Sequence, residues 1–181
     1  MAGEGIIIGI SKTNERLQYF DFSEALSEDN VWLVTRCDKI FPFKTLDDLK
    51  GKTIGVVRGV SAGEEFDGQA NRLFKIDDDT DVTEARFIKL YNGRADALIY
   101  LKTANSTSSE LARELNQRYL PVEAKISAAS PTFCVLDNPV VSVSVHIAQR
   151  KGLDQSPLQR INKAIISGKQ NGKLKRVTAS K

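Results

Sequence analysis

Two hydroxyls and a guanidinium lie close together early in the chain, on Ser11, Thr13 and Arg16. A guanidinium forks onto a carboxylate or phosphate with two parallel hydrogen bonds, and hydroxyl donors complete the grip. The chemistry these residues suggest is therefore anion binding rather than catalysis. The apolar run Ile6, Ile7, Ile8 leads into Gly9 and reads as the end of a buried strand. Thr13 then reads as a helix N-cap, with Arg16 in the first helical turn. A cation at the positive end of a helix dipole is disfavoured unless an anion joins it. The plainer reading has Arg16 pointing into water.

A second candidate lies at Arg58-Gly-Val-Ser-Ala-Gly63, between the predicted strand Thr53 to Val57 and a following helix. Strand, small-residue turn and helix together make a common frame for backbone N–H groups that hold an anion, here at Val60 and Ser61. The segment lacks the spacing and the Gly-Lys-Ser/Thr ending of a nucleotide-binding loop, and it is a poor dinucleotide fingerprint. A plain strand-to-helix turn is the alternative. Asp77-Asp-Asp79 with Asp81 lacks the Gly and final Glu of a calcium loop and reads as a solvated turn. The single histidine, His146, has no nucleophile or metal partner nearby in sequence, so a structural role is expected. Cys37 and Cys134 lack metal spacing and read as two buried thiols, able to pair if the protein is exported. No catalytic residue, metal site or cofactor site emerges.

The elements around these residues alternate between strand and helix. Val31 to Thr35, Thr53 to Val57, Leu73 to Ile76, Asp96 to Leu101 and Val140 to Ile147 read as strands. Thr83 to Asn92, Ser108 to Arg118 and the segment opening at Ser156-Pro157 and ending at Gly168 read as helices. Thr45 with Asp48 makes a capping box for a short helix closed by Gly51. This alternation predicts an α/β fold with parallel pairing. At 181 residues, with 41% hydrophobic and 27% charged residues, the chain fits one ordinary domain or two small lobes. A net charge of +3 does not argue for nucleic acid, and the basic tail Lys169 to Lys181 lacks interleaved aromatics and reads as a solvated end. No stretch reads as a membrane span, and Met-Ala-Gly-Glu-Gly at the start does not read as a signal peptide.

Gly9-Ile-Ser-Lys-Thr-Asn-Glu-Arg16, then Phe20-Asp-Phe-Ser23, Leu46-Asp-Asp-Leu-Lys-Gly-Lys-Thr-Ile-Gly-Val56, Gly59 and Gly93-Arg-Ala-Asp-Ala97 follow one another in order. Together they resemble bacterial extracellular solute-binding proteins of family 3, the polar amino-acid-binding components of ABC transporters. The resemblance covers most of the chain but lacks the N-terminal part of lobe one. It implies a periplasmic-binding-protein-like type II fold with parallel-type sheets. Residues 1–28 and 138–181 would form an incomplete lobe one, and 37–136 lobe two. Residues 29–36 and 137–147 would be the crossing strands. The chain is then expected to be a truncated copy or an expressed fragment of a periplasmic protein.

The resemblance further implies that Arg16 grips a ligand carboxylate with help from Ser11, and that Val60 and Ser61 hold the same group from the other lobe. An ABC permease is the expected partner. Such proteins place an Asp where this chain has Leu101, and that Asp pairs with the ligand's ammonium. Asp96, at the amino end of its strand, is read as structural, because ligands of open parallel sheets sit beyond the carboxyl ends. The ligand expected is thus an amino acid held in another way or an organic acid. An incomplete lobe one predicts an uncovered apolar face around Ile6 to Ile8 and Ile161 to Ile165, and self-association through it. Two alternatives remain open. One is an exported cyclohexadienyl-dehydratase-like enzyme using Glu15 or Glu65 near the two loops. The other is a degenerate, ligand-free interaction module.

Overall fold

The computed structural model describes residues 5–78, 82–121 and 132–174. The chain divides into two compact units, Met1–Asp29 with Ser142–Lys181, and Asn30–Val141. The chain crosses between them inside one strand and at the start of another.

In the first unit, β1 (Ile6–Ser11) and β2 (Phe20–Phe22) both pair antiparallel with β8 (Val141–Arg150). Ile7 faces Ala148 across the β1 ladder, and Phe22 faces the same residue across the β2 ladder, so β8 lies between them. The register along β1 slips between Ile8 and Ile10, where Gly9 takes φ +84°. That value belongs to the left-handed region, which glycine enters without a Cβ penalty, and an extra residue there makes a bulge. The ladders here are antiparallel, whereas parallel pairing was expected.

The isoleucine run departs from the buried strand that its apolar pattern suggests, and its exposure agrees with the uncovered face that the resemblance implies. Ile6, Ile7 and Ile8 do form a strand, but they are 43%, 41% and 71% exposed. The apolar run correctly signals a strand; it does not guarantee a cover. On α4 (Ser156–Gln170), Ile165 and Leu158 are buried, Ile161 is half-buried and Ile166 is exposed. Lys169 donates to the Ala25 carbonyl, and the Asn162 side chain accepts from the Glu24 N–H at 2.8 Å. The helix starts at Ser156-Pro157 as read, but it runs through Gly168 instead of ending there. A Cβ at Gly168 would lie 2.8 Å from Leu174 Cδ1, so this glycine makes room for a returning side chain. Gly172, at φ +76°, makes the turn that brings Leu174 back.

In the second unit, β4 (Thr53–Gly55) lies between β5 (Lys75–Asp77) and β6 (Ala97–Thr103), with both ladders parallel. The later part of β3 (Ser27–Arg36) pairs antiparallel with β7 (Phe133–Val135). The helices are α1 (Glu64–Gln69), α2 (Thr83–Tyr91) and α3 (Ser108–Tyr119). The Thr45–Asp48 capping box is present and opens a single 3-10 turn, Leu46–Leu49. A second box, Thr107 with Glu110, opens α3; its Thr-x-x-Glu spacing was readable from sequence.

The core of this unit gathers Trp32 and Val34 of β3, Phe87 and Leu90 of α2, Leu98 of β6, Leu111 and Leu115 of α3, and Phe133 of β7. Arg86 of α2 is buried as well and donates to the carbonyls of Gly55 at 3.2 Å and Ile99 at 2.7 Å. Burial pushes its guanidinium below the usual arginine value.

Cys37 and Cys134 are joined in a disulfide with their Cα atoms 4.9 Å apart. Of the two readings, buried thiols or a pair formed on export, the structure has the pair. Spacing could not reveal the bond because the pairing of β3 with β7, which sets Thr35 opposite Cys134, is a long-range contact. Of the acidic run, Asp79 and Asp81 lie outside the described residues, as does the end of the basic tail from 175 onward.

His146 of β8 is buried, and its Nδ1 lies 2.8 Å from the Ser23 carbonyl, to which it donates. The expected structural role fits this placement. Burial is the main cause that holds its pKa below the usual histidine value, against a smaller opposing effect of that hydrogen bond. The unfolded state then binds the proton more readily. Stability is therefore retained above about pH 6.5 and falls as pH drops below that value toward the folded-state pKa. The outcome expected is a declining urea midpoint between pH 7 and 5 in the wild type, with a shallower decline in His146→Phe. Parallel declines in the two proteins would assign the effect to other groups.

Candidate functional site

The Arg16 cluster is built by the exit from β1. Beyond Ser11 the chain turns, and the Leu17 N–H donates to the Thr13 carbonyl at 2.9 Å. The Thr13 hydroxyl accepts from the Arg16 N–H at 3.2 Å, which satisfies the three-residue spacing read from sequence. No α-helix follows. Arg16–Gln18 is a single 3-10 turn, closed by the Tyr19 N–H on the Arg16 carbonyl at 3.1 Å, and the chain passes at once into β2. Phe20-Asp-Phe22 alternates in the strand period and is drawn into the β8 ladder, which ends the turn. The helix-dipole argument for an anion therefore does not apply here, since one turn carries little aligned dipole.

What remains is the guanidinium itself. Arg16 folds back on the strand end, and its Nη1 donates to the Ser11 carbonyl at 2.8 Å and to the Ser11 hydroxyl at 2.7 Å. Both bonds use the same nitrogen of the planar guanidinium. The side chain is half-buried. This tether fixes the guanidinium in orientation, so less rotamer entropy is lost when it meets a planar anion. Ser11, Thr13 and Arg16 are thus brought together.

In the second unit, β4 ends at Gly55 and the loop to α1 contains Gly59 at φ +75° and Gly63 at φ +98°. Val60 is exposed, and its N–H closes a turn on the Val57 carbonyl at 3.0 Å. Ser61 is buried. Its hydroxyl donates to Asp67 Oδ2 and accepts from the Gly63 N–H at 3.2 Å, while the Ala62 N–H donates to Asp67 Oδ1 at 3.1 Å. The loop does cradle a carboxylate with a hydroxyl and a backbone N–H, and that carboxylate is the chain's own Asp67. Sequence reasoning missed Asp67 because no capping spacing links it to Ser61. Glu64, Glu65 and Asp67 also fill the first turn of α1 with negative charge, which opposes a second anion there.

Asp96 has the structural placement expected of it. Its Oδ2 accepts from the Thr53 N–H at 2.7 Å, and its carbonyl accepts from the Thr35 hydroxyl at 2.9 Å. Leu101 lies within β6, half-buried. Beside it, burial together with a hydrogen bond to Tyr119 pushes the Tyr100 phenol up to about 12. Recesses among the described residues lie elsewhere. One of about 250 Å³ is lined by Arg36, Lys39, Gly93, Ala95 and Asp96. The other, of about 410 Å³, is lined by Gly5, Ile6, Gln149, Leu153, Asp154 and Pro157.

Neither a family model nor a curated protein sequence matches the chain. Solved structures do. The P235GK mutant of ArgBP from T. maritima superposes with a TM-score of 0.68 at 27% identity, over 93% of this chain and 64% of that one. An ancestral arginine-binding protein bound to arginine gives 0.66 at 25% identity, over 91% of this chain and 65% of that one. The amino acid ABC transporter substrate-binding protein AbpA from Streptococcus pneumoniae, bound to L-arginine, shares the fold at 0.64 with 19% identity. The chain spans between 61% and 65% of the length of these neighbours. In fold the chain is similar to arginine-binding proteins and to the substrate-binding proteins of amino-acid ABC transporters, with the periplasmic-binding-protein-like type II architecture.

Proposed function

We propose that the chain is the solute-binding component, or part of one, of an ABC-type uptake system for amino acids or small carboxylates. The observation that carries this reading is the tethered Arg16 guanidinium at the end of β1, in a chain whose structural neighbours include proteins named as arginine-bound. Arg16 and Ser11 grip the ligand's carboxylate, with Thr13 shaping the turn. The Val60–Ser61 loop is the second candidate for such a carboxylate. Ser61 serves a ligand only by turning its hydroxyl away from Asp67. Leu101 supplies no counter-charge for an ammonium, and a buried ammonium without one is strongly disfavoured. Carboxylates without an α-amino group are therefore favoured, or amino acids whose nitrogen is met elsewhere. The partner implied is an ABC permease, and the protein acts as a binder rather than an enzyme. The Cys37–Cys134 disulfide supports an oxidising, periplasmic setting. Among the described residues, no helix is long and apolar enough to cross a membrane.

A second reading is favoured by Asp67, which occupies the loop cradle with the chain's own carboxylate. Under it the fold is kept as an interaction module without a ligand. A thermal-shift screen separates the two, using L-arginine, L-glutamine and small mono- and dicarboxylates with wild type and Arg16→Ala. A ligand at a hundredfold excess over its Kd contributes about 2.7 kcal/mol. For a chain of this size that raises Tm by roughly 5–10 °C. The binding reading predicts such a rise in wild type and its loss in Arg16→Ala. A cooperative melt unmoved by every ligand supports the module.

A further inference from the structure

In the second unit, β4, β5 and β6 follow one another along the chain but lie side by side in the order β5–β4–β6, with both ladders parallel. The chain steps from β4 to β5 on one side, then returns past β4 to β6 on the other. The point where the direction reverses lies between β4 and β6. Ligands of open parallel sheets sit beyond the carboxyl ends of the strands at such a point. The β4–β6 ladder ends there, with Gly55 opposite Leu98.

Arg86 spans this point. Its Nη2 donates to the carbonyl of Gly55, the last residue of β4, at 3.2 Å and to the Ile99 carbonyl of β6 at 2.7 Å. The residue is 4% exposed, and its buried Nε has no hydrogen-bond partner among the described residues. Both acceptors are neutral carbonyls. Among the described residues Arg86 makes no ion pair. The carboxylate whose charge reaches it, Asp77, is held through both oxygens by Lys89 at 2.7 and 3.0 Å. A guanidinium keeps its proton in a protein. A positive charge without a matching acid is thus buried where β4 and β6 part, and such burial is costly unless an opposite charge completes it. Two features of the same end of the unit agree in sign. β6 carries no acidic residue, and Leu101, two residues beyond Ile99, stands where the resemblance implies an acid for an ammonium. The acids Glu64, Glu65 and Asp67 belong to α1 in the connection to β5, where Asp67 already fills the Ser61 cradle.

We infer that the β4–β6 switch point takes an anionic group of the ligand, and that Arg86 is the specificity-determining residue that selects it by its charge. The inference rests on the solute-binding reading and narrows it to ligands with a carboxylate at this point. The test is isothermal titration with two pairs of near-isosteric probes, succinate against succinamate and L-glutamate against L-glutamine, together with L-arginine. Wild type, Arg86→Lys, Arg86→Gln and Arg86→Met are compared after a melt has shown each to fold cooperatively. The readout is the ratio of Kd values within a pair, because lost packing weakens both members and leaves the ratio in place. Wild type is expected to favour the charged member of at least one pair by about tenfold or more. Arg86→Lys keeps that preference. Arg86→Gln, which retains an N–H donor for the carbonyls, and Arg86→Met reduce it by about fivefold or more. Equal affinity of wild type for acid and amide overturns the proposal, as does a preference that survives in Arg86→Gln and Arg86→Met. Binding of L-arginine alone also overturns it, and each of these three results leaves the solute-binding reading standing. A wild type that binds no probe here and no ligand in the thermal-shift screen overturns both.

Discussion

Removing the Cys37–Cys134 disulfide is expected to lower the unfolding free energy of the second unit by about 2–5 kcal/mol. The bond spans a sequence separation of 97, so nearly all of the second unit lies inside the loop it closes. A cross-link of that length removes many conformations from the unfolded chain, and chain-entropy reasoning puts a loop of this size near 4.7 kcal/mol. The folded side supports the bond. The Cys37 N–H donates to the Thr132 carbonyl at 2.8 Å, and Arg36 pairs with Phe133 at the end of the β3–β7 ladder. β7 has only three residues, so its ladder alone contributes little to holding it. The Cys37→Ala/Cys134→Ala variant avoids free thiols. Its denaturation, followed by fluorescence of the buried Trp32, should show a lower midpoint, and reductant should move wild type to the same place. An unchanged midpoint in both experiments contradicts the account.

Phe87→Ala should cost about 3–5 kcal/mol, by lost transfer energy and the cavity left behind. Phe87 is fully buried at the middle of the core of the second unit. Its ring stacks on Tyr119 at 4.4 Å between centroids and meets Phe133 edge-on at 5.0 Å. The ring thus links α2 to α3 and to β7, three elements distant in sequence. Such a site collapses poorly after truncation, because each neighbour is held by a different element. Phe87→Leu, which keeps most of the volume, should lose markedly less. Equal losses for the two variants would show that shape at this site matters more than cavity volume.

Elements whose signals are local could be read from sequence. The Thr45–Asp48 box, the helix start at Ser156-Pro157 and α2 with Phe87 and Leu90 on its inner face all rest on spacing within one element or its cap. Features that depend on distant partners could not. The antiparallel ladders around β8, the disulfide and the continuation of α4 through Gly168 are decided by β8, β7 and Leu174. Gly168 shows why: a glycine near a predicted helix end suggests a stop, yet here its missing Cβ admits Leu174. At the candidate site, residue types were legible and geometry was not. Thr13 and Arg16 do share a turn, but β2 pairing replaced the expected helix. The loop at Ser61 was readable as an anion frame or a plain turn, and its occupation by Asp67 depends on how α1 folds back.

Isothermal titration reads out carboxylate binding by Arg16. Wild type and Arg16→Ala would be titrated with whichever amino acid or small carboxylate stabilises wild type most. Truncating one partner of a hydrogen-bonded charge pair costs about 2–5 kcal/mol. The account predicts saturable one-to-one binding by wild type and an affinity at least about thirtyfold weaker in a folded Arg16→Ala. Equal affinity in the two proteins, or no saturable heat with any carboxylate, contradicts it.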